Sequence, residues 1–562
     1  MLLKLLEFFF FIGLLATLAP LLGKYMSMVF TGEKTFMHPC CEWLEKLCYR
    51  IAAIDPKEEM TWKTYLKSLL LFNFLGIIFL LLILSYQHFL PLNPQNFPGL
   101  DWDLSLNTAI SFVTNTNWQA YAGETTLSYF SQMAGLTSQN FLSAATGIGV
   151  FFALTRGFTG KSKNSLGNYW VDLIRAIVYL LLPLSLIFAL ILVSEGVIQT
   201  FSSYAEVLTL ENNHQTIPLG PVASQVAIKV LGSNGGGFFS ANSAHPFENP
   251  TGLTNFLQTL AIVLIPAATV FTYGLLIKSK KHSYLLLSVM GVLLIVGLSV
   301  SLYSEHILNP IFNASPLLEG KETRFGVDRS ILWSTLTSAT GNGSINAMLS
   351  SLSPFAGGVA LFNLMLGGVV FGAVGIGICI LIKYILMTVF LSGLMVGRTP
   401  EYLGKKIEKR EIQWVLLTLL TPTALILIGA GITFATTSDL SASVNQGPHA
   451  ITTILYAYSS AASNNGSAFM DLDANTLYYN LTLAAVMLVS RIVPIYASLA
   501  IAGSLGKKNI APFSTGTFST NSTIFAFLLL IVILTVGSLS FFASLSLGPI
   551  IEQILMLEGR TF

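Results

Sequence analysis

Apolar residues run along this chain in long unbroken stretches separated by short polar segments, not at the spacings of 3.6 or 2 that mark a single buried face. A helix crossing the hydrocarbon core of a bilayer needs about 20 mostly apolar residues. On that criterion the stretches predict ten spans, near 3–22, 67–90, 128–155, 172–195, 254–277, 283–303, 357–396, 413–436, 476–502 and 522–546. The seventh is too long for one crossing, since 355–397 as a single helix would extend roughly 64 Å, about twice the hydrocarbon thickness. Its first half holds Gly357, Gly358, Gly367, Gly368, Gly372, Gly375 and Gly377. A break inside the membrane is therefore expected, in a place where protein or a water-filled cavity covers the backbone. The run Leu5 to Leu22 is read as a retained span, because no small-residue cleavage site follows it before Gly23.

Composition places the whole chain in one class. Hydrophobic residues make up 53% and charged residues 10%, against about 25% charged in soluble domains. The expected architecture is an all-α integral membrane fold in one membrane domain, 1–562, with lipid around it. The segment 23–67 is read as a loop. A net charge of +2 gives no reason to expect nucleic acid as a partner. Basic residues set the orientation. The alternate loops 23–67, 156–171, 278–283, 397–411 and 503–521 hold 20 of the 29 Lys and Arg, while 88–127 and 437–475 hold none. The basic loops are thus assigned to the cytoplasm, both termini to the outside, and the long loops between spans 2–3, 4–5, 6–7 and 8–9 to the exterior. Cys40, Cys41, Cys48 and Cys379 lack the paired spacing of a zinc site and are expected as free thiols.

Each of the four exterior loops carries a short, moderately apolar segment ending in an Asn/Gly/Ser/Thr-rich stretch. These read Phe112-Val113-Thr114-Asn115-Thr116-Asn117, Leu231-Gly232-Ser233-Asn234-Gly235-Gly236-Gly237, Ala339-Thr340-Gly341-Asn342-Gly343-Ser344 and Ala462-Ser463-Asn464-Asn465-Gly466-Ser467. Aligned on Asn115, Asn234, Asn342 and Asn465 they recur at separations of 119, 108 and 123 residues. The recurrence predicts four units of span, short helix, polar strand and span, at 67–155, 172–278, 283–397 and 412–503. Residues 1–66 and 522–562 then add a first span with its loop and a last span with its tail.

Four converging loops of this composition suit a cation filter. An ion entering a membrane exchanges its hydration shell for oxygen ligands, and rings of backbone carbonyls do this for potassium. Glycine permits the backbone turns this needs. Asn, Ser and Thr add side-chain oxygens, and the partly negative C-terminal end of a short helix favours a cation. The carboxylates Asp103, Glu124, Glu248, Asp471 and Asp473 are expected to add attraction at the mouth. Arg491 lies mid-span, where a charge costs at least ~2.5 kcal/mol, and is expected to face the ion route or a partner; Lys383 in the seventh span is a second candidate. No Asp-Lys-Thr-Gly phosphorylation sequence occurs in the chain.

Longer stretches carry a family resemblance. They are Thr31-Gly32-Glu33-Lys34-Thr35-Phe36, Pro91-Leu92-Asn93-Pro94-Gln95, Ser111 to Gln119, Asn234 to Phe239, His245-Pro246-Phe247-Glu248-Asn249-Pro250, Gly397-Arg398-Thr399-Pro400-Glu401-Tyr402-Leu403-Gly404-Lys405-Lys406 and Ser463 to Phe469. In these the chain resembles the potassium-binding A subunit of the bacterial Kdp potassium-transporting ATPase. The resemblance implies a four-repeat fold of the potassium channel-like superfamily, in a bacterial plasma membrane. It further implies potassium as the transported substrate, no ATP site in this chain, and three partners: a P-type ATPase subunit (KdpB), a single-span subunit (KdpC) and a small hydrophobic one (KdpF). By motif, the filter falls on Thr114, Asn115, Thr116, Gly232, Ser233, Asn234, Gly235, Thr340, Gly341, Asn342, Gly343, Ser463, Asn464, Asn465 and Gly466. Gln119 resembles the family's selectivity-sensitive glutamine, and Arg398 a residue near the cytoplasmic gate. A sideways tunnel toward the ATPase subunit is implied below the filter, where Gly368 stands in place of the family's usual glutamate. The alternative is a stand-alone Trk/Ktr-like potassium channel-transporter, against which the long motifs and the two extra spans argue.

Overall fold

The computed structural model describes residues 2–160, 165–436, 445, 447–510 and 519–560, with side chains from Leu6 onward. Parts of the basic loops 156–171 and 503–521 and of the loop 437–475 lie outside the described residues. Among the described residues ten helices are long and apolar enough to cross a membrane: Leu6–Thr31, Trp62–Ser85, Ser131–Thr159, Tyr169–Ser194, Gly252–Leu276, Lys280–His306, Ile376–Val396, Lys409–Thr436, Leu477–Gly506 and Thr523–Leu557. The chain is therefore a multi-pass membrane protein.

These helices sort into an inner and an outer set. The third, fifth, seventh and ninth are 83%, 78%, 61% and 67% buried over their most apolar stretch, whereas the second, sixth and eighth are 22%, 28% and 28% buried. Small residues explain the inner set. Gly147 and Gly157 of the third span leave no room for a Cβ against the backbone of Val374 and Ala502, and close backbone approach is how helices associate without a hydrophobic driving force. The outer helices keep Leu, Ile and Phe on their exposed faces, such as Phe74, Phe79, Leu190 and Ile428. Hydroxyl caps start several spans: Thr61, Thr476 and Ser522 each accept the backbone N–H three residues on, and Thr251 forms a reciprocal capping box with Thr254.

Between the spans of each pair lies a short helix that enters the fold and stops inside it: Trp102–Val113, Val222–Leu231, Gly326–Thr340 and Gly447–Ser463. The expected break in the seventh span is present. A half-length helix, Pro354–Met365, ends before Leu366, and the chain resumes as helix only at Ile376. Between them Gly367, Gly368 and Gly375 adopt positive φ of 67°, 78° and 78°. Gly372 packs so closely on the Gly368 carbonyl that a Cβ there would sit 1.8 Å from its oxygen, so the glycines are needed for the loop's shape.

Two small hairpins decorate opposite ends. Ala205–Leu208 pairs with His214–Ile217 on the face that carries the polar loops, and Glu401–Tyr402 pairs with Lys405–Lys406 on the basic face. Lys405, nearly fully buried, donates at 2.8 Å to the carbonyls of Gly157 and Leu505, capping the ends of the third and ninth spans. The segment 23–67 is not all loop. It contains a helix, His38–Ile51, whose Glu45 pairs with Arg175 at 2.9 Å and accepts hydrogen bonds from Tyr49 and Tyr179.

Candidate ion-selective site

Three of the four short helices end alike. Thr116 N and Asn117 N both donate to the Ser111 carbonyl, at 2.9 and 3.2 Å, and Asn234 N and Gly235 N both donate to the Lys229 carbonyl, at 2.9 and 3.0 Å. Asn465 N donates in the same way to Ser460, at 2.9 Å. Left-handed backbone flanks the central residue every time, at Asn115 and Asn117, Ser233 and Gly235, Gly341 and Gly343, and Asn464 and Gly466. The equivalent positions are therefore Thr116, Asn234, Asn342 and Asn465. This shifts the sequence alignment by one residue in the first loop. Asn115 stands where the other loops have Ser233, Gly341 and Asn464, because asparagine tolerates the left-handed conformation that position requires.

The segments close into a ring. A Cβ built on Gly235 would lie 1.8 Å from the Asn342 carbonyl oxygen, one on Gly343 1.8 Å from that of Asn465, and one on Gly466 2.0 Å from that of Thr116. The second segment thus touches the third, the third the fourth, and the fourth the first. Side chains close the remaining junction: Asn115 Nδ2 donates to Ser233 O and Asn234 Nδ2 to Asn115 Oδ1, each at 2.7 Å. Asn342 and Asn465 reach back to the preceding short helix, donating to Lys229 O at 3.0 Å and Thr337 O at 2.8 Å. Asn464 Nδ2 donates to Thr116 Oγ1 at 2.9 Å, and Thr114 Oγ1 lies 2.8 Å from Thr116 Oγ1. Gly232, Ser233, Thr340 and Gly341 are buried within the same assembly, and Ser463 is half-buried. The ring offers carbonyl, amide and hydroxyl oxygens, no cationic side chain among its own positions, and four helix C-termini at its back. Hard oxygen donors of this kind suit an alkali cation.

Gln119 is a clamp across the ring's rim. Its Oε1 accepts the Gly237 N–H at 2.9 Å and its Nε2 donates to Gly237 O at 3.0 Å, so it pairs the first and second segments as a backbone would. The carboxylates differ from expectation in one respect. Glu248 is fully buried, ion-paired to Lys229, and takes the N–H groups of Phe238 and Phe239 at 2.7 and 2.9 Å, so it adds no free charge at the mouth. Glu124 accepts from Ser240 N at 2.8 Å, Asp103 from Asn480 Nδ2 at 3.0 Å, and Asp473 is exposed. Asp471 lies 3.1 Å from His449, which also contacts Glu552 at 3.0 Å. Burial opposes the charge on His449, but these hydrogen bonds and carboxylates hold its pKa up at about 9. Lys229 was not among the site residues read from the sequence, although a lysine inside the apolar segment Val222–Leu231 was a visible signal.

Behind the ring lies a cavity. It begins at Ser463 and Asn464, passes Gly367, Gly368 and Gly377 at the break, and reaches Thr418, Pro422 and Thr423 of the eighth span and Val536, Gly537 and Ser540 of the last. Of the three residues assigned to the gate or ion path, Arg491 lines it, 5% exposed, with Nη2 3.3 Å from the Ser143 carbonyl. Lys383 is not in the lining. It is fully buried and donates to Pro494 O at 2.9 Å and Ser498 Oγ at 2.8 Å. Arg398 is exposed on the basic face, beyond the seventh span. No cluster of His, Cys, Asp or Glu suited to a metal ion occurs among the described residues.

Comparison with known proteins bears on the fold and the family. A solved structure of the potassium transporter TrkH from Vibrio parahaemolyticus superposes with a TM-score of 0.50 at 13% identity, covering 75% of this chain and 83% of that one, which shows a shared fold. A relative from Leptospira interrogans, named potassium-transporting ATPase potassium-binding subunit, is 53% identical over 520 residues, 92% of this chain and 93% of its own. One of the same name from Pseudomonas aeruginosa is 50% identical over 550 residues, 97% of each. The family model described as potassium-transporting ATPase A subunit, KdpA, matches residues 9–554. With a match over nearly its whole length and relatives half-identical to it, the chain belongs to the KdpA family of potassium-transporting ATPase A subunits.

Proposed function

We propose that this chain is the potassium-selecting, non-catalytic subunit of an ATP-driven uptake pump, and that the ring of Thr116, Asn234, Asn342 and Asn465 with their neighbours is its filter. The observation that carries the reading is the closure of four non-adjacent segments into one buried ring. Three of its junctions are glycine-to-carbonyl contacts too tight for any side chain. Unpartnered buried atoms support an occupant: Ser233 Oγ, Asn234 Oδ1 and Ser460 Oγ have no hydrogen-bond partner among the described residues. Such atoms are costly unless a ligand or water satisfies them.

In this reading the polar-loop face is extracytoplasmic, the basic face cytoplasmic, and the membrane the bacterial plasma membrane. Potassium sheds water at the four helix C-termini, binds in the ring, and passes into the cavity beside Asn464. There the fixed charge of Arg491 opposes descent along the axis, since two cations at close range in a low dielectric repel strongly. The remaining way is sideways, past the break in the seventh span to the last span. There we place a partner P-type ATPase subunit of the KdpB kind, with KdpC- and KdpF-like subunits completing the complex. ATP hydrolysis belongs to that partner. The division into four units at 67–155, 172–278, 283–397 and 412–503 is part of the same reading.

The test is potassium uptake from micromolar external potassium in a host lacking its own uptake systems, with this chain expressed alone and with the ATPase partners. Uptake that needs the partners and stops on ATP depletion is the expected result. Uptake by the chain alone would replace the pump reading with that of a stand-alone transporter.

A further inference from the structure

The carbonyl that closes the turn below the ring segment belongs to Ser111 in the first segment and to Ser460 in the fourth. In the second it belongs to Lys229, whose side chain is fully buried. Its ammonium is held by the Glu248 carboxylate, also fully buried, and donates to Asn242 Oδ1 at 2.7 Å. Both acceptors are committed to the second ring segment. Asn242 Nδ2 donates to the Gly235 carbonyl at 2.7 Å, and Glu248 takes the two N–H groups that follow the triple glycine. Lys229 O meanwhile accepts from Asn234 N, Gly235 N and the Asn342 side chain.

The segment is thus gripped from both sides by one residue. A buried ion pair is weak evidence for stability, because an apolar pair of similar size often does as well. A second buried pair in this chain, Lys321 with Glu305 at 3.0 Å, bonds Ser353 N and the Glu319 carbonyl, neither of them in the ring. What distinguishes Lys229 is where its bonds lead. Three of them end on backbone groups of Asn234 and Gly235, either directly or through Asn242.

We infer that Lys229, Glu248 and Asn242 form a positioning and specificity-determining group that sets the Gly235 carbonyl and, through it, the ring's discrimination between potassium and other alkali cations. The inference rests on the filter reading above. The pair carries no net charge, and its hydrogen bonds act on the position of the second segment.

The experiment uses the full complex with its ATPase partners and three variants: K229M/E248Q, N242G and, as a comparison pair, K321M/E305Q. Glycine at 242 keeps the left-handed backbone, whose φ is 52°, and deletes the side-chain contacts to Lys229, Gly235 and the Ser243 N–H. Apparent KM for potassium, the ratio of rubidium to potassium KM, inhibition by sodium and maximal rate are each normalised to assembled complex. In K229M/E248Q and N242G we expect the potassium KM to rise and the cation ratio to fall by about tenfold, with the saturated rate within about twofold. K321M/E305Q should alter the amount assembled but not the ratio. Wild-type ratios in assembled K229M/E248Q and N242G would overturn the inference. So would failure of both to assemble, which would make the group a folding element only. If the wild-type complex itself transports no potassium, the failure lies with the filter reading.

Discussion

Replacing Gly343 by alanine tests the ring at one of its two tightest junctions. The position has φ +83°, and the added Cβ would begin 1.8 Å from the Asn465 carbonyl oxygen. Since real Cβ atoms essentially never approach within 3.0 Å, the third and fourth segments must part by at least about 1.2 Å or the chain must leave its left-handed turn. Retaining the turn costs about 1–2 kcal/mol in backbone strain alone. Gly397→Ala separates the two effects. It has φ +69° with nothing within 4 Å of the new atom, so it takes the strain without the clash. Gly397→Ala should lower thermal stability by about 1 kcal/mol and leave transport kinetics alone. Gly343→Ala should raise the potassium KM at least ~10-fold, about 1.4 kcal/mol, and weaken discrimination against sodium, because a ring that selects by ligand distance cannot keep its radius with one junction open. Uptake assays on complexes quantified in the membrane decide the matter. A Gly343→Ala complex with wild-type KM and selectivity would refute the claim that these contacts set the ring.

Gln119→Arg removes the acceptor of the Gly237 N–H, at 2.9 Å, and adds a positive charge at the rim; potassium KM in uptake assays should rise more than ~10-fold, and more steeply at low ionic strength. His449 has its pKa raised to about 9, above the ordinary value of about 6.5. Its contribution to stability is full below pH 6.5 and lost as pH rises through 9; melting temperature should fall between pH 7 and 10, and His449→Gln should flatten that dependence. Lys405→Met leaves the Gly157 and Leu505 carbonyls without their 2.8 Å donor and should cost about 1–3 kcal/mol in a denaturation assay, with potassium KM unchanged.

Much of this fold is written locally in the sequence. A run such as Trp62–Ser85 can be placed because an apolar stretch of that length has few other uses, and the break at 366–375 because glycines cluster there. The helix His38–Ile51 has no continuous apolar run, because Glu42, Glu45, Lys46 and Arg50 interrupt it; its anchor, Glu45, bonds to Arg175, 130 residues on. The register of the first loop was misread for a chemical reason. Asparagine serves both as the left-handed residue, at Asn115, and as the central residue, at Asn234, Asn342 and Asn465, and composition alone does not separate the two uses. The cavity was beyond local reading altogether, since its walls come from the seventh, eighth, ninth and last spans.

The four ring segments share their left-handed flanking backbone and differ in chemistry, and the difference is concentrated at one junction. Three junctions are glycine packed on carbonyl. At the fourth the glycine position is occupied by Asn117, which donates to Asn140 Oδ1 at 2.7 Å and packs on Gly236. Around it gather the amides of Asn115 and Asn234, the Gln119 clamp and, behind the second segment, the Lys229 ion pair. A ring of four identical chains would repeat any such device four times by symmetry. Lys229 and Glu248 would then become four buried ion pairs, each with its desolvation penalty. A single chain can place one. Equivalent substitutions should therefore not have equivalent effects. Widening a glycine junction changes the ring's radius directly, whereas a change at the Asn117 junction acts through side chains that can partly re-form their bonds. Alanine at Gly235, Gly343 and Gly466 should thus form one phenotypic class, and alanine at Asn117 a milder one.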